Sequence, residues 1–476
     1  MEMMELRYRR IMLCFMAMIY ILITGFAFLP MEHGAYGNVE PAAGSGTGSG
    51  ADGNAIPAAA GGNPGSSEEN RQGSGRSGQG KESRDFRNID RASSDDARIY
   101  PAAGRIQDVT VSTGETNPDI KPPSINAMAA VVVEESTGRI LYEKNALQKR
   151  SIASTTKIMT ALVALENANV EDVVTVSKRA ASIGGSVAGL RHGEKYTLRE
   201  LLYALLIISA NDAAIAIAEH VGGSVEGFAV MMNKRAKSLG AVNSNFVTPH
   251  GLDRENQYST AYDVALITIE ALKHPLFREI VSTVSSYIPG HNLHNTNELL
   301  GTYPGADGVK TGYTGKAGRC LVSTAQRNGM RLISVVLGSP TRSARAEASR
   351  KLLDYGFENY RMYRLMSKGD VYAKIPVYRG VTEYVELKTD RDIVLPLSHK
   401  EAEALEVREH VPDVVNAPVY AGAVSGYVEF VLDGRVLAQN VLKAGEDIRK
   451  TNYLDYLELI FRTWGKMIRE GMFASL

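Results

Sequence analysis

The chain has 476 residues, length for two or three domains, and its 53 basic and 53 acidic side chains give a formal net charge of zero. That balance removes the electrostatic case for nucleic-acid binding. Of the two cysteines, Cys14 lies in an apolar N-terminal run, so no intrachain disulfide with Cys320 is expected.

Arg7, Arg9 and Arg10 precede an uncharged run from Ile11 to Leu29. A basic start before an apolar stretch is an export signal. The run is long for a cleaved signal and just long enough to span a bilayer. Residues 1–33 are therefore expected to be a signal peptide or membrane anchor, with the remainder outside the cell. Residues 34–123, rich in Gly and Ser, read as a disordered tether. Order is expected to begin near Met128: AAVVV as a buried strand, a turn at Ser136-Thr137-Gly138, and RILYEKN as its partner.

In Ile152-Ala153-Ser154-Thr155-Thr156-Lys157, a serine is followed three residues later by a lysine. Apolar residues continue at Ile158, Leu162 and Leu165 with helical spacing. If Ser154 opens that helix, Ser154 and Lys157 share a face. A hydroxyl needs a base to become a nucleophile, and a desolvated lysine can serve. This is the one Ser-x-x-Lys in the chain, yet the pattern alone also fits a serine N-cap and a chance lysine.

Leu198 to Leu206 reads as an apolar helix, broken at Ser209-Ala210-Asn211 before a second helix, DAAIAIAEH. Ser209 and Asn211 either cap these helices or aim a hydroxyl and an amide into a cleft. A second Ser-x-Asn, Ser124 to Asn126, stands at the tether edge and is taken as a decoy. Phe228 to Leu239 is a further amphipathic helix. His250, in a Pro-His-Gly loop, reads as turn-supporting. His291 and His294 lack a third ligand with metal spacing, so no metal and no cofactor is expected.

GADGVKTGYT leads from a turn into a strand, and CLVSTAQR and MRLISVVLG flank Asn328-Gly329, a strong hairpin signal. Lys310-Thr311-Gly312 would then lie on a sheet strand. There a lysine sets a positive charge, a threonine offers a hydroxyl, and a glycine lets a substrate backbone approach and add as one more strand. A helix from about Ala344 to Tyr355 follows, with Arg342, Arg345 and Arg350 as candidate anion ligands. Residues 370–448 read as short alternating strands of a small all-β domain. The tail is an amphipathic helix, with Leu454, Leu457, Ile460, Phe461, Trp464, Met467 and Ile468 on one stripe. It would either lie flat on a membrane or pack on the protein.

Ser154-Thr155-Thr156-Lys157, Ser209-Ala210-Asn211 and Lys310-Thr311-Gly312, in this order and spacing, resemble the motifs of penicillin-binding proteins and serine β-lactamases. The flanking IASTTKIMTAL, LLYALLIISANDAAIAIAEH, TPHGLD, STAYD, NTN and GADGVKTGYTGKAG resemble the low-molecular-mass D-alanyl-D-alanine carboxypeptidases of bacterial cell walls. The resemblance runs from about Met128 to Tyr360 and, more weakly, through the β domain and tail. Ala210 stands where many members have glycine. The implied fold is an α/β (α+β) β-lactamase/transpeptidase-like domain over residues 124–366, with an antiparallel sheet and helices. A small β-sandwich-like domain would cover 367–450 and a C-terminal amphipathic helix 451–476.

The resemblance implies that Ser154 attacks the carbonyl between two D-alanines of a peptidoglycan stem peptide and that Lys157 takes its proton. Ser209 would pass a proton to the leaving D-alanine, and Asn211 would hold Lys157 and the substrate amide. Lys310 would keep the site positive, while Thr311 and Arg345 would grip the terminal carboxylate. Gly312 would line the substrate strand, and the backbone N–H groups of Ser154 and Tyr313 would form an oxyanion hole. β-Lactams would trap Ser154. The expected location is extracytoplasmic, membrane-associated or secreted. The alternatives are a β-lactamase, for which no loop with a deacylating glutamate stands out, and a non-catalytic wall-binding or β-lactam-sensing module. A D,D-endopeptidase is not separable from the carboxypeptidase by sequence.

Overall fold

The computed structural model of the chain describes residues 107–108 and 121–469. The signal or anchor segment and nearly all of the Gly/Ser-rich stretch lie outside the described residues. One short strand, Gln107–Asp108, falls inside that stretch and pairs antiparallel with Arg364 and Tyr363. Apart from that strand and residues 121–123, the expected tether lies outside the described residues. Edge pairing uses main-chain groups that composition does not report.

The first domain is built on a five-stranded antiparallel sheet. Its strands are β1 (Ala129–Glu134), β2 (Ile140–Lys144), β3 (Ala306–Thr314), β4 (Gly318–Arg327) and β5 (Met330–Ser339), in the spatial order β2-β1-β5-β4-β3. The apolar runs of β1 and β5 have a physical cause, because both faces of the sheet are covered. Val131, Val133, Ile333 and Val335 face a large core shared with the helices that precede β3. Val132, Leu332 and Val336 face the other way, onto Ala348, Leu352 and Leu353 of the helix Arg342–Asn359. The β4–β5 hairpin turns at Asn328 and Gly329, with φ of 51° and 75°, as a type I′ turn requires.

Four helices matter for the site. α1 (Lys157–Asn167), α2 (Leu198–Ile207) and α3 (Asn211–Gly222) form a tightly buried group, and α4 (Arg342–Asn359) closes the far face. Thr197 and Glu200 make a reciprocal capping box at the start of α2. Gly223, at φ 69°, ends α3 in the left-handed conformation that a helix stop favours.

The second domain is all-β. A six-stranded sheet holds the strands Val371–Tyr378, Tyr384–Thr389, Glu406–His410, Val415–Asn416, Val424–Leu432 and Arg435–Ala444. Alternate residues Ala373, Ile375 and Val377 face its core with Val385, Leu387, Val428 and Leu442. Arg361–Met366, which sequence alone leaves at the end of the first domain, pairs instead with Ile393–Leu397. Arg139, in the β1–β2 turn, ties the domains together by an ion pair of 2.6 Å to Glu401. The tail helix, Tyr453–Arg469, leaves Leu454, Leu459, Ile460 and Phe461 exposed.

Leu202 sits fully buried in the α2 face of the core. Leu202→Ala should cost about 2–5 kcal/mol of unfolding free energy, read from urea denaturation. A loss below about 1 kcal/mol would contradict the packing described.

Candidate active site

Ser154 does not sit on the first turn of an α-helix, as its spacing to Lys157 suggests. It occupies a single 3-10 turn, Ala153–Thr156, and the α-helix begins at Lys157. The turn is held by its own threonines: Thr155 Oγ1 donates to Ile152 O at 2.7 Å and Thr156 Oγ1 to Ala153 O at 2.8 Å. Those short polar side chains compete with helical hydrogen bonding and win locally. Ala153 takes a φ of 49°. Gly251, at φ 84°, packs so closely that a Cβ there would lie 2.0 Å from Ala153 O. Ser154 and Lys157 nevertheless meet, with 3.0 Å between Nζ and Oγ.

Lys157 is completely buried. Its Nζ also donates to Asn211 Oδ1 and to the main-chain carbonyl of His250, both at 2.7 Å. Desolvation first, then the charge of Lys310, holds its pKa well below the usual lysine range, while Asp212 opposes the shift. Asp212 does not touch the amine. Its carboxylate accepts from the backbone N–H groups of Ala188, Gly189, Leu190 and Ala213, which pins the 184–190 loop beside the site. Asn211 Nδ2 donates to Gly184 O at 2.8 Å, so the amide is oriented with its oxygen toward Lys157.

Ser209 lies in the break between α2 and α3 at φ 68°. Its buried Oγ has no hydrogen-bond partner. A strained backbone that presents an unsatisfied hydroxyl is costly and calls for a functional account. Capping does not supply one, since Ala210 is the N-cap of α3 and no side chain caps that end.

β3 is the outer strand of the sheet and runs past the Ser154 turn. A Cβ on Gly312 would lie 3.0 Å from Ser154 N and 3.1 Å from Ala153 Cβ, so glycine is what leaves room for this approach without displacing the turn. Lys310, also buried, donates from Nζ to Thr311 O at 3.0 Å. Burial and the Arg345 charge bring its pKa down to about 7. Thr311 Oγ1 meets Thr296 Oγ1 at 2.6 Å. Tyr313 is 55% exposed, with the Arg319 guanidinium 3.7 Å from its ring centre.

Arg345 is buried on α4 and bonded to Glu298 and to Cys320 O. Ser124 and Asn126 line a separate hollow with Ala344, Glu347 and Lys351. The carbonyl of His250 and the side chains of Asp212, Thr296 and Glu298 are contributors that sequence reading does not single out. For His250 no side-chain signal exists, because the backbone makes the contact. Its ring Nδ1 accepts from Leu252 N at 3.1 Å and supports the turn.

A serine hydroxyl against a buried amine, beside the open edge of a helix-covered antiparallel sheet, is the arrangement of an active-site-serine peptidase of transpeptidase-like fold. A family model described as D-alanyl-D-alanine carboxypeptidase matches residues 116–341, and one described as penicillin-binding protein 5, C-terminal domain, matches residues 360–450. D-alanyl-D-alanine carboxypeptidase DacF of Bacillus subtilis is 38% identical over 352 residues, 71% of this chain and 90% of that protein. DacA of Escherichia coli K12 is 32% identical over 365 residues, 72% of this chain and 89% of that protein. Penicillin binding protein 5 from Haemophilus influenzae superposes with a TM-score of 0.62 at 33% identity, over 70% of this chain and 100% of that one. The chain belongs to the D-alanyl-D-alanine carboxypeptidase family.

A lysine whose folded pKa lies below its unfolded value binds fewer protons when folded between those two values. For Lys310 that window runs from about 7 to the ordinary 10.5. The stability it contributes is lowest below the folded pKa and rises with pH across the window. Lys310→Met should therefore raise the Tm most at mildly acidic pH, and the gain over the parent should shrink as the pH rises through the window. A gain that grows with pH would contradict a buried Lys310 whose pKa is lowered by folding.

Proposed function

We propose that Ser154 is the nucleophile of a serine-type D-alanyl-D-alanine carboxypeptidase that removes the terminal D-alanine of peptidoglycan stem pentapeptides. The arrangement around Lys157 carries this reading. A neutral amine has two N–H groups and one lone pair. Asn211 Oδ1 and His250 O, each at 2.7 Å, take the two N–H groups. The lone pair is then left for the Ser154 hydroxyl at 3.0 Å. Burial holds the Lys157 pKa well below the usual lysine range, which favours the neutral form a general base requires.

Ser154 Oγ adds to the carbonyl carbon of the penultimate D-alanine while its proton passes to Lys157. The backbone N–H groups of Ser154 and Tyr313 receive the developing oxyanion. The C–N bond then breaks, and Ser209, whose hydroxyl is otherwise unpartnered, relays a proton to the departing amine. Water hydrolyses the resulting ester and frees Ser154. Asn211 positions both Lys157 and the substrate amide. The stem peptide extends β3 along its open edge, beside Gly312. Lys310 keeps the pocket electropositive, and Thr311 and Arg345 receive the terminal carboxylate.

Family members act on peptidoglycan, and we place this enzyme outside the cytoplasm, held at the membrane. The Ile11–Leu29 run lies outside the described residues, among which no helix is long and apolar enough to cross a bilayer. The tail helix supports an interfacial contact. Phe461 and Leu454 are 67% and 71% exposed, and Arg462, Lys466 and Arg469 on the same helix bring positive charge to anionic headgroups.

Two measurements test the proposal. Ser154→Ala should lower D-alanine release from a pentapeptide at least about a thousandfold, and mass spectrometry after penicillin treatment should place the adduct on Ser154. An adduct elsewhere overturns the site, and rapid turnover of the drug instead of a lasting adduct would favour a β-lactamase. Removing residues 453–476 from a chain that already lacks residues 1–120 should abolish its sedimentation with anionic vesicles. Undiminished sedimentation would remove the helix from membrane contact.

A further inference from the structure

Arg345 is already holding a carboxylate. Its Nε donates to Glu298 Oε1 at 3.1 Å, and its Nη2 donates to Oε1 and Oε2, both at 2.7 Å. Nη1 donates to Cys320 O at 3.3 Å. Of the three guanidinium nitrogens, Nε and Nη2 are thus committed to Glu298 and Nη1 to Cys320 O. Glu298 occupies the Nε/Nη2 edge, one of the edges on which a guanidinium offers a carboxylate two parallel donors, and the bond from Nη1 to Cys320 O partly commits the other. The arginine is 3% exposed on its side chain, and the glutamate 24%. The guanidinium is thus the fixed partner, and the carboxylate approaches it from the solvent side.

Glu298 lies on the segment that carries Thr296, whose hydroxyl bonds Thr311 of β3. The intervening Asn297 pins this segment independently of Glu298. Its Nδ2 donates to Gly308 O at 2.8 Å and its Oδ1 accepts from Leu299 N at 3.1 Å. The main chain can therefore stay in place while the Glu298 side chain rotates out to water. Nothing comparable frees Arg345, which is buried between α4 and β4.

We propose that Glu298 is a specificity-determining residue: its carboxylate occupies Arg345 as an internal stand-in for the substrate's terminal carboxylate and must be displaced when substrate binds. The proposal rests on the reading that Arg345 receives that carboxylate. Substrates ending in a free acid carry the cost of displacing Glu298. Substrates whose corresponding group is an uncharged amide do not engage Arg345 as an ion pair and avoid that cost. The residue therefore narrows the preference of this site for free C-terminal acids and brings amide-terminated donors closer to them in rate.

The test compares kcat/KM for a peptide ending in D-Ala-D-Ala with that for its C-terminal amide. The ratio is measured in the parent, Glu298→Gln, Glu298→Ala and Arg345→Ala, each with a melting curve. Both Glu298 variants should raise the acid-to-amide ratio about tenfold, mainly through a lower KM for the acid, and Arg345→Ala should collapse it. A purely structural Glu298 would do the reverse, raising KM for the acid as Arg345 loses its support. An unchanged or lowered ratio in both Glu298 variants, with Arg345→Ala still collapsing it, overturns the proposal alone. An Arg345→Ala variant that melts normally and leaves the ratio unchanged overturns the carboxylate-binding reading, and the proposal with it.

Discussion

Two lysines sit at zero and 1% exposure in one pocket, and neither has a carboxylate bonded to its amine. Burying an ammonium without a counter-ion is expensive, and the usual escape is loss of the proton. At Lys157 the charge of Lys310 pushes the same way. The proposed chemistry depends on this condition, because an amine that stays charged cannot accept from a hydroxyl. Asp212, the acid whose field opposes the shift, has its oxygens committed to backbone N–H groups. Its charge therefore steadies a loop instead of capturing the Lys157 amine.

The pocket is assembled from three turns with left-handed backbone at Ala153, Ser209 and Gly251, a conformation unfavourable for the first two. Two of these are not glycines. Conformations of this kind persist only where the surroundings over-determine them. The apolar packing of α1, α2 and α3 supplies that surrounding, so the large core stabilises the fold and also the strained geometry at its edge. Site geometry and core packing are in this sense one problem.

Much of this was legible in the chain itself. β1 and β5 announced themselves as unbroken apolar runs because both faces are buried, and Asn328-Gly329 marked their hairpin neighbour because few other pairs adopt two positive φ values. The three motifs were visible as side-chain types. What escaped was carried by main chain or by pairing at long range. The His250 carbonyl has no residue-specific signature. The 3-10 turn at Ser154 follows from threonine hydroxyls folding back, a local competition that helical spacing cannot reveal. Glu298 and Arg345 lie 47 positions apart, among 106 charged side chains (53 and 53), and only the fold makes them partners. Gln107–Asp108 pairs through its backbone from within a stretch whose composition argues against structure.

The outermost strand of the first domain's sheet has a consequence beyond ligand capture. An unpaired sheet margin is a template on which extended chains stack, and soluble proteins ordinarily blunt it with charge, proline or a covering segment. Here the margin stays available, but the Ser154 turn presses against it at Gly312, and a buried lysine sits two residues earlier. The length over which a foreign strand can zip up is curtailed right beside the serine hydroxyl. The crowding at Gly312 shortens the run of unpaired edge on which other copies of the chain could stack.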